Sequence, residues 1–132
     1  MAVDEAHVTG VGQRFLDALD RRDYDPIAAC FAEQAQLRAV VPRGVREDDR
    51  PDAIAARFQL RTGPTGELVD SAADMVGDVL RLRYVIRGVD PELGLCVFEQ
   101  TAYAEVVDGE ITRMRVACSG DRPVVRPGPS LG

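Results

Sequence analysis

Between Asp4 and Asp20 the apolar residues Val8, Val11, Phe15, Ala18 and Leu19 recur at three- and four-residue intervals, with Gln13, Arg14 and Asp17 between them. That spacing lays a single stripe along a helix. Gly10 and Gly12 fall inside it and weaken its early turns, by about 1 kcal/mol each relative to alanine. A second helix opens at Asp25-Pro26, a capping residue followed by the residue best tolerated in a first helical turn, and carries Ile27, Cys30 and Phe31 on one face. In "AQLRAVV" the pattern changes to alternation, with Leu37, Ala39 and Val41 on one side, and Pro42 and Gly44 end the strand. "RPDAIAARF" predicts a third helix with Pro51 near its start and Ile54, Ala55 and Phe58 inward, and "RTGPTG" breaks it.

From about Glu67 onward the period is two. Leu80, Leu82, Tyr84 and Ile86 share one side of their strand, and Arg81, Arg83 and Arg87 the other. "VDPELG" leads to the next strand, and Asp108-Gly109 marks a two-residue hairpin turn. Helices first and long strands afterwards predict an α+β fold, a strongly bent antiparallel sheet whose concave face is covered by three N-terminal helices. One domain is expected over residues 1–120, with 121–132, "DRPVVRPGPSLG", as a Pro/Gly-rich tail poorly ordered at its end.

The hairpin turn sets an expected register. If Val107 pairs with Glu110, Tyr103 falls opposite Met114, Thr101 opposite Val116 and Glu99 opposite Cys118. Met114, Val116 and Cys118 form the apolar side of their strand, so Glu99, Thr101 and Tyr103 are expected beneath the helices. A carboxylate there is desolvated, its pKa raised, and becomes a candidate general acid or base, with Thr101 and Tyr103 as donors to an oxyanion. Phe15, Phe31, Leu37, Ala39, Val41, Phe58, Leu82, Tyr84, Met114, Val116 and Cys118 are the expected walls of the pocket. The opposite sheet face would show Cys96, Phe98, Gln100, Ala102 and Ala104 bordered by Arg81, Arg83, Arg113 and Arg115. Such a face suits either a homodimer interface or plain solvation.

Composition narrows the function classes. The chain has 132 residues and a net charge of −6, against the basic balance that phosphate binding requires. Neither nucleic acid nor a membrane is an expected partner; no apolar run approaches the ~20 residues that span a bilayer. "MAVDEAHVTG" lacks the basic head and apolar stretch of a signal peptide, and Cys30, Cys96 and Cys118 lack metal-site spacing. These features predict a cytoplasmic location with reduced thiols. With His7 the lone histidine, no metal and no cofactor are expected.

The order of elements, and the phrases "FLDALDRRDYDPIAACFAEQAQL" and "VVDGEITRMRV", resemble the nuclear transport factor 2-like superfamily over about Val8 to Ser119. This is the cone fold of ketosteroid isomerase, SnoaL-type polyketide cyclases, scytalone dehydratase and limonene epoxide hydrolase. The resemblance implies a deep, mostly apolar cavity, and dimerisation through the outer sheet face in many members. The isomerase's helix-one tyrosine matches Phe15, its base before a proline matches Val41, and its oxyanion acid matches Thr101, so steroid isomerisation is not implied. Epoxide hydrolase members need inward aspartates around an arginine, whereas Arg81 and Arg83 are expected to point outward. Three readings stay open. The first is a cofactor-free acid/base enzyme of isomerase, cyclase or dehydratase type acting on an apolar carbonyl metabolite. The second is a non-catalytic binder of such a molecule, and the third a dimeric interaction module.

Overall fold

The structure is a computed structural model, and it describes residues 4–124. Helix α1 spans Glu5–Arg21, with the Asp4 side chain accepting a hydrogen bond from the His7 N–H (3.2 Å) at its start. Its stripe is buried as the periodicity predicts. Gly12, read from sequence as a weak point, has a packing reason: a Cβ there would lie 2.9 Å from the methyl groups of Leu80 and Leu82, so its absence lets the helix approach the sheet. Helix α2 is Tyr24–Ala29, one residue earlier than the Asp25-Pro26 signal places it. It ends before Phe31, which belongs not to α2 but to strand β1, Phe31–Val41. Strand β2, Gly44–Asp49, pairs back on β1 and carries six residues of mostly exposed surface that have no apolar alternation to announce them. Helix α3, Pro51–Thr62, has Pro51 in its first turn and buries Ile54, Ala55 and Phe58.

Four further strands follow: β3, Glu67–Val76; β4, Val79–Asp90; β5, Gly94–Val107; and β6, Glu110–Cys118. The sheet runs in the order β2-β1-β6-β5-β4-β3, and the two-residue strand β7, Arg122–Pro123, pairs with β5. β7 thus lies in the segment assigned to the tail, while 125–132, where the disordered end was expected, lies outside the described residues. One ladder departs from the expected antiparallel sheet: β1 and β6 are parallel, because β1 returns to the sheet beside its last long strand. The sheet is therefore mixed. Helix α1 packs on β3 and β4, and α3 on β1 and β2.

The main correction concerns β5 and β6. The Asp108-Gly109 turn forms as expected, both residues adopt positive φ, and Val107 pairs with Glu110. Val106 then pairs with Ile111, but Glu105 pairs with Arg113, which leaves Thr112 as an extra residue. This β-bulge shifts every later pair by one. Ala104 lies opposite Met114, Ala102 opposite Val116 and Gln100 opposite Cys118. Since alternate residues face opposite sides, the shift turns Glu99, Thr101 and Tyr103 to the outer face. Phe98, Gln100, Ala102 and Ala104 fill the inner one, and Cys96 is buried with them.

The outer face consequently lacks the small apolar centre expected for a dimer interface. It carries a charge ladder instead: Arg81 pairs with Asp74 (2.5 Å), and Arg83 bridges Asp70 (2.9 Å) and Glu99 (3.1 Å). The hydrogen bonds from Arg83 and Arg81 hold the Asp70 and Asp74 carboxyls below the ordinary value. Such exposed pairs contribute little stability individually. The core lies between this sheet and the helices, around Phe15, whose ring meets Phe58 at 5.1 Å, Tyr84 at 6.0 Å and Phe31 at 6.3 Å between centroids.

Paired substitutions on β5 separate the two registers. Ala102→Glu buries an unpaired carboxylate and is expected to lower the unfolding free energy by about 3 kcal/mol or more in urea titrations. Tyr103→Glu, beside Arg81 and Arg115 on the outer face, is expected to stay within about 0.5 kcal/mol of the parent. The reverse order would overturn the bulged register.

Candidate binding cavity

Between α3 and the C-terminal ends of β1 and β6 lies a cavity of about 850 Å³. Its walls follow from strand alternation. β1 contributes Leu37, Ala39 and Val41, β6 contributes Val116 and Cys118, and α3 lays Phe58 across them. Gln100 of β5 forms the inner polar group. The rim is made by three connections: the β1–β2 hairpin with Pro42 and Arg43, the β4–β5 loop from Asp90 to Leu93, and the linker Ser119–Arg122. Gly120 is needed where that linker crosses to the hairpin. It adopts a φ of 76°, and a Cβ there would stand 2.7 Å from Pro42 Cγ.

Of the eleven residues expected to wall the pocket, Leu37, Ala39, Val41, Phe58, Val116 and Cys118 do line it. Phe15, Phe31, Leu82, Tyr84 and Met114 do not. They are buried behind it and close its inner end as packed core. The three residues proposed for chemistry are absent from the cavity altogether. Glu99 is bound to Arg83 on the far side of the sheet, Tyr103 is 45% exposed there, and Thr101 shares their face. The bulge at Thr112 is the physical reason. Its signal was present in the sequence: the apolar positions of β6 change parity between Ile111 and Met114, and a regular strand cannot bury both.

Gln100, expected on the outer face with Cys96, Phe98, Ala102 and Ala104, is the polar member of that set and turns into the cavity with the bulge. It is 5% exposed, and its Oε1 accepts a hydrogen bond from the hydroxyl of the fully buried Tyr84 at 2.6 Å. The two residues are direct partners across β4 and β5. The pair holds the amide in one orientation, and the Gln100 Nε2 has no hydrogen-bond partner among the described residues. Burial pushes the Tyr84 phenol far above its ordinary range, so it stays a neutral donor.

Beside Gln100 stands Cys118, partly buried. Its Sγ receives the Gly120 N–H at 3.4 Å and the Arg61 Nη2 at 3.7 Å. Arg61 is fixed from both sides. Its guanidinium carbon sits 3.7 Å above the centroid of Phe98, and both terminal nitrogens reach Asp121 Oδ1 at 3.2 Å. One helical turn earlier on α3, Arg57 binds Asp48 of β2 at 2.8 Å. Neither arginine shows an apolar period, which is why pattern reading passed over them. Among the described residues no cluster of three or more His, Cys, Asp or Glu side chains is arranged to hold a metal ion. No helix among them is long and apolar enough to cross a membrane.

This arrangement of helices over a sheet recurs in solved structures. A candidate polyketide cyclase from Xanthomonas campestris pv. campestris is 25% identical over 86% of this chain and 90% of its own, with a TM-score of 0.67. The chain has the nuclear transport factor 2-like cone fold. An M. tuberculosis LEH-like epoxide hydrolase matches at 18% identity and TM-score 0.66, over 88% of this chain and 85% of that one. An NTF2-like protein of unknown function from Mesorhizobium loti reaches TM-score 0.74 at 16% identity, over 91% and 97%. No protein-family model and no curated protein matches the chain. On this cone fold the position matched to the isomerase's oxyanion acid, Thr101, faces outward, and Gln100 and Ala102 face in. Arg81 and Arg83 point away from the cavity, as expected.

Two measurements follow from this geometry. Tyr84→Phe removes the donor to a buried carbonyl oxygen and is expected to cost about 1–3 kcal/mol of stability by chemical denaturation. Burial raises the Cys30 and Cys96 thiols above their ordinary value, which lowers their thiolate fraction. Alkylation of the native protein at about pH 8, followed by peptide mass spectrometry, is therefore expected to modify Cys118 before either of them.

Proposed function

We propose that the protein is a small-molecule binder that holds an apolar metabolite with a hydrogen-bond acceptor, a carbonyl oxygen above all, in the cavity beneath α3. The observation that carries this reading is the inward surface of the cavity. Leu37, Ala39, Phe58 and Val116 supply apolar walls, and Gln100 brings one pre-oriented, unpartnered amide donor into them. Cavities of this size bury most of a drug-sized molecule, and a few placed polar groups fix its orientation.

Binding is favoured over acid/base catalysis because the cavity's three acids, Asp90, Glu92 and Asp121, stand at its rim, with Asp90 held by its own turn and Asp121 by Arg61, and its inner walls carry no carboxylate. The mechanism built on Glu99, Thr101 and Tyr103 has lost its geometry and is not carried forward. An intracellular setting belongs to the same proposal and is supported by the free thiols of Cys30, Cys96 and Cys118.

Benzophenone and diphenylmethane differ only in the carbonyl group and make a direct test. In competition with a fluorescent cavity probe, benzophenone is expected to bind about two- to tenfold more tightly, the worth of one hydrogen bond. Gln100→Leu should abolish that difference, and Glu99→Gln should leave it intact. Equal affinities in the parent protein, or a preference that survives Gln100→Leu, would count against the reading.

A further inference from the structure

We infer that the cavity's ligand is an amphipathic anion, its apolar body between α3 and the sheet and its carboxylate at the arginine-lined mouth. This rests on the binding reading above and adds the class of ligand. The chain carries a net charge of −6, yet five arginines, Arg43, Arg46, Arg57, Arg61 and Arg122, line the cavity against three acids, Asp90, Glu92 and Asp121. The site therefore has a sign opposite to that of the molecule.

Internal pairing sharpens the contrast. Arg57 is committed to Asp48, and Arg61 to Asp121 and the Phe98 ring. Arg43, Arg46 and Arg122 form no ion pair among the described residues. Of the opposing acids, Asp121 is taken up by Arg61, and Glu92 and Asp90 leave two negative charges against the three guanidiniums; Asp90 is also held in place by its own turn. Its Oδ1 accepts the N–H groups of Glu92 at 2.8 Å and Leu93 at 2.9 Å, which pull its carboxyl below the ordinary value and keep it charged within its own turn. The three unpaired guanidiniums come from two different connections, the β1–β2 hairpin and the linker before and within β7, and both border the same opening.

Ion-paired arginines would suffice if the rim served only solubility. Unpaired ones beside apolar walls fit a molecule with one charged end, since a guanidinium binds a carboxylate through paired N–H donors. The lip continues the apolar lining outward: Leu60 is 74% exposed and Leu93 50% exposed at the same mouth. A cleft with low-dielectric walls and one sign of charge also concentrates counter-ions near its opening. The buried amide of Gln100 then meets an acceptor on the ligand's inner part, at the opposite end from the charge.

The experiment uses two fluorescent probes with the same aromatic skeleton, anilinonaphthalene sulfonate and the uncharged N-phenylnaphthylamine. Both are titrated into the full chain, into Arg43→Gln/Arg46→Gln, into Arg122→Gln and into the cavity-filling variant Ala39→Trp. The anionic probe is expected to bind at least about fivefold more tightly at ~50 mM salt, with the preference shrinking at ~500 mM salt. The arginine substitutions should reduce that preference and leave the uncharged probe's affinity unchanged, while Ala39→Trp should weaken both. Equal affinities, or a preference that neither arginine variant alters, would overturn the inference while binding of the uncharged probe upheld the cavity. Loss of both probes from the parent protein would overturn the two readings together.

Discussion

A single extra residue, Thr112, decides which half of β5 is inside the molecule. The tight turn at Asp108-Gly109 fixes one end of the β5–β6 ladder, and burial fixes the other, because Ile111, Met114 and Val116 must all face the helices. Ile111 and Met114 are three apart, an odd separation that an unbroken strand cannot place on one side. The conflict is resolved by bulging β6, where the Thr112 hydroxyl donates to the Glu105 carbonyl at 3.3 Å. The alternative would thrust Glu99 and Tyr103 against the Phe15 cluster and expose Phe98. Desolvating a carboxylate costs several kcal/mol, more than one disrupted ladder position. The bulge wins on magnitude.

Much else follows from that choice. With Ala102 and Ala104 inward, the middle of the sheet offers little side-chain volume, and larger groups from both sides can meet above it. Phe15, Phe31, Phe58 and Tyr84 occupy that space as edge-on and tilted rings, which fills one end of the concavity with solid core. Gly12 belongs to the same economy of volume, letting α1 settle on Leu80 and Leu82. The open volume lies at the other end, beyond Phe58, bordered by the β1–β2, β4–β5 and Ser119–Arg122 connections. The Tyr84–Gln100 hydrogen bond marks the border between the two regions. Tyr84 is wholly core, and Gln100 has one face in each.

This division explains what could be read from the residues alone. The stripe of α1, the Pro51 start of α3, the alternation of Leu80, Leu82, Tyr84 and Ile86, and the hairpin turn are all local signals, and each produced the element it predicts. The fold resemblance rests on their order and was equally legible. Register is not local. Counting back from the turn assumes a regular ladder, and one bulge reverses the result for every residue beyond it. The opposing pattern was visible in β5 itself, since Cys96, Phe98, Ala102 and Ala104 are the apolar set and Glu99, Thr101 and Tyr103 the polar one. The parallel β1–β6 ladder was hidden for a similar reason, as nothing in "AQLRAVV" says which neighbour it will find. Strand β2 was hidden because a solvated edge strand needs no apolar alternation.

The arginines were hidden differently, because a charge has no period and its meaning depends on what it touches. On the outer face Arg81 and Arg83 lie opposite acids on β3 and β5, so their charge is spent in a solvated ladder. On α3, Arg57 and Arg61 occupy successive turns and tie the helix to β2 and to the linker before β7. Arg61 adds the contact over Phe98, so it serves as a structural clamp on the cavity wall more than as a free charge at the site. Removing these four from consideration leaves Arg43, Arg46 and Arg122 as the positive groups of the mouth with no acid assigned to them among the described residues. An acidic protein that keeps three such groups around an apolar opening, against Asp90 and Glu92 there, retains a local positive excess that its own side chains cancel only in part. The partner that cancels it is to be sought among molecules small enough to enter and charged at one end.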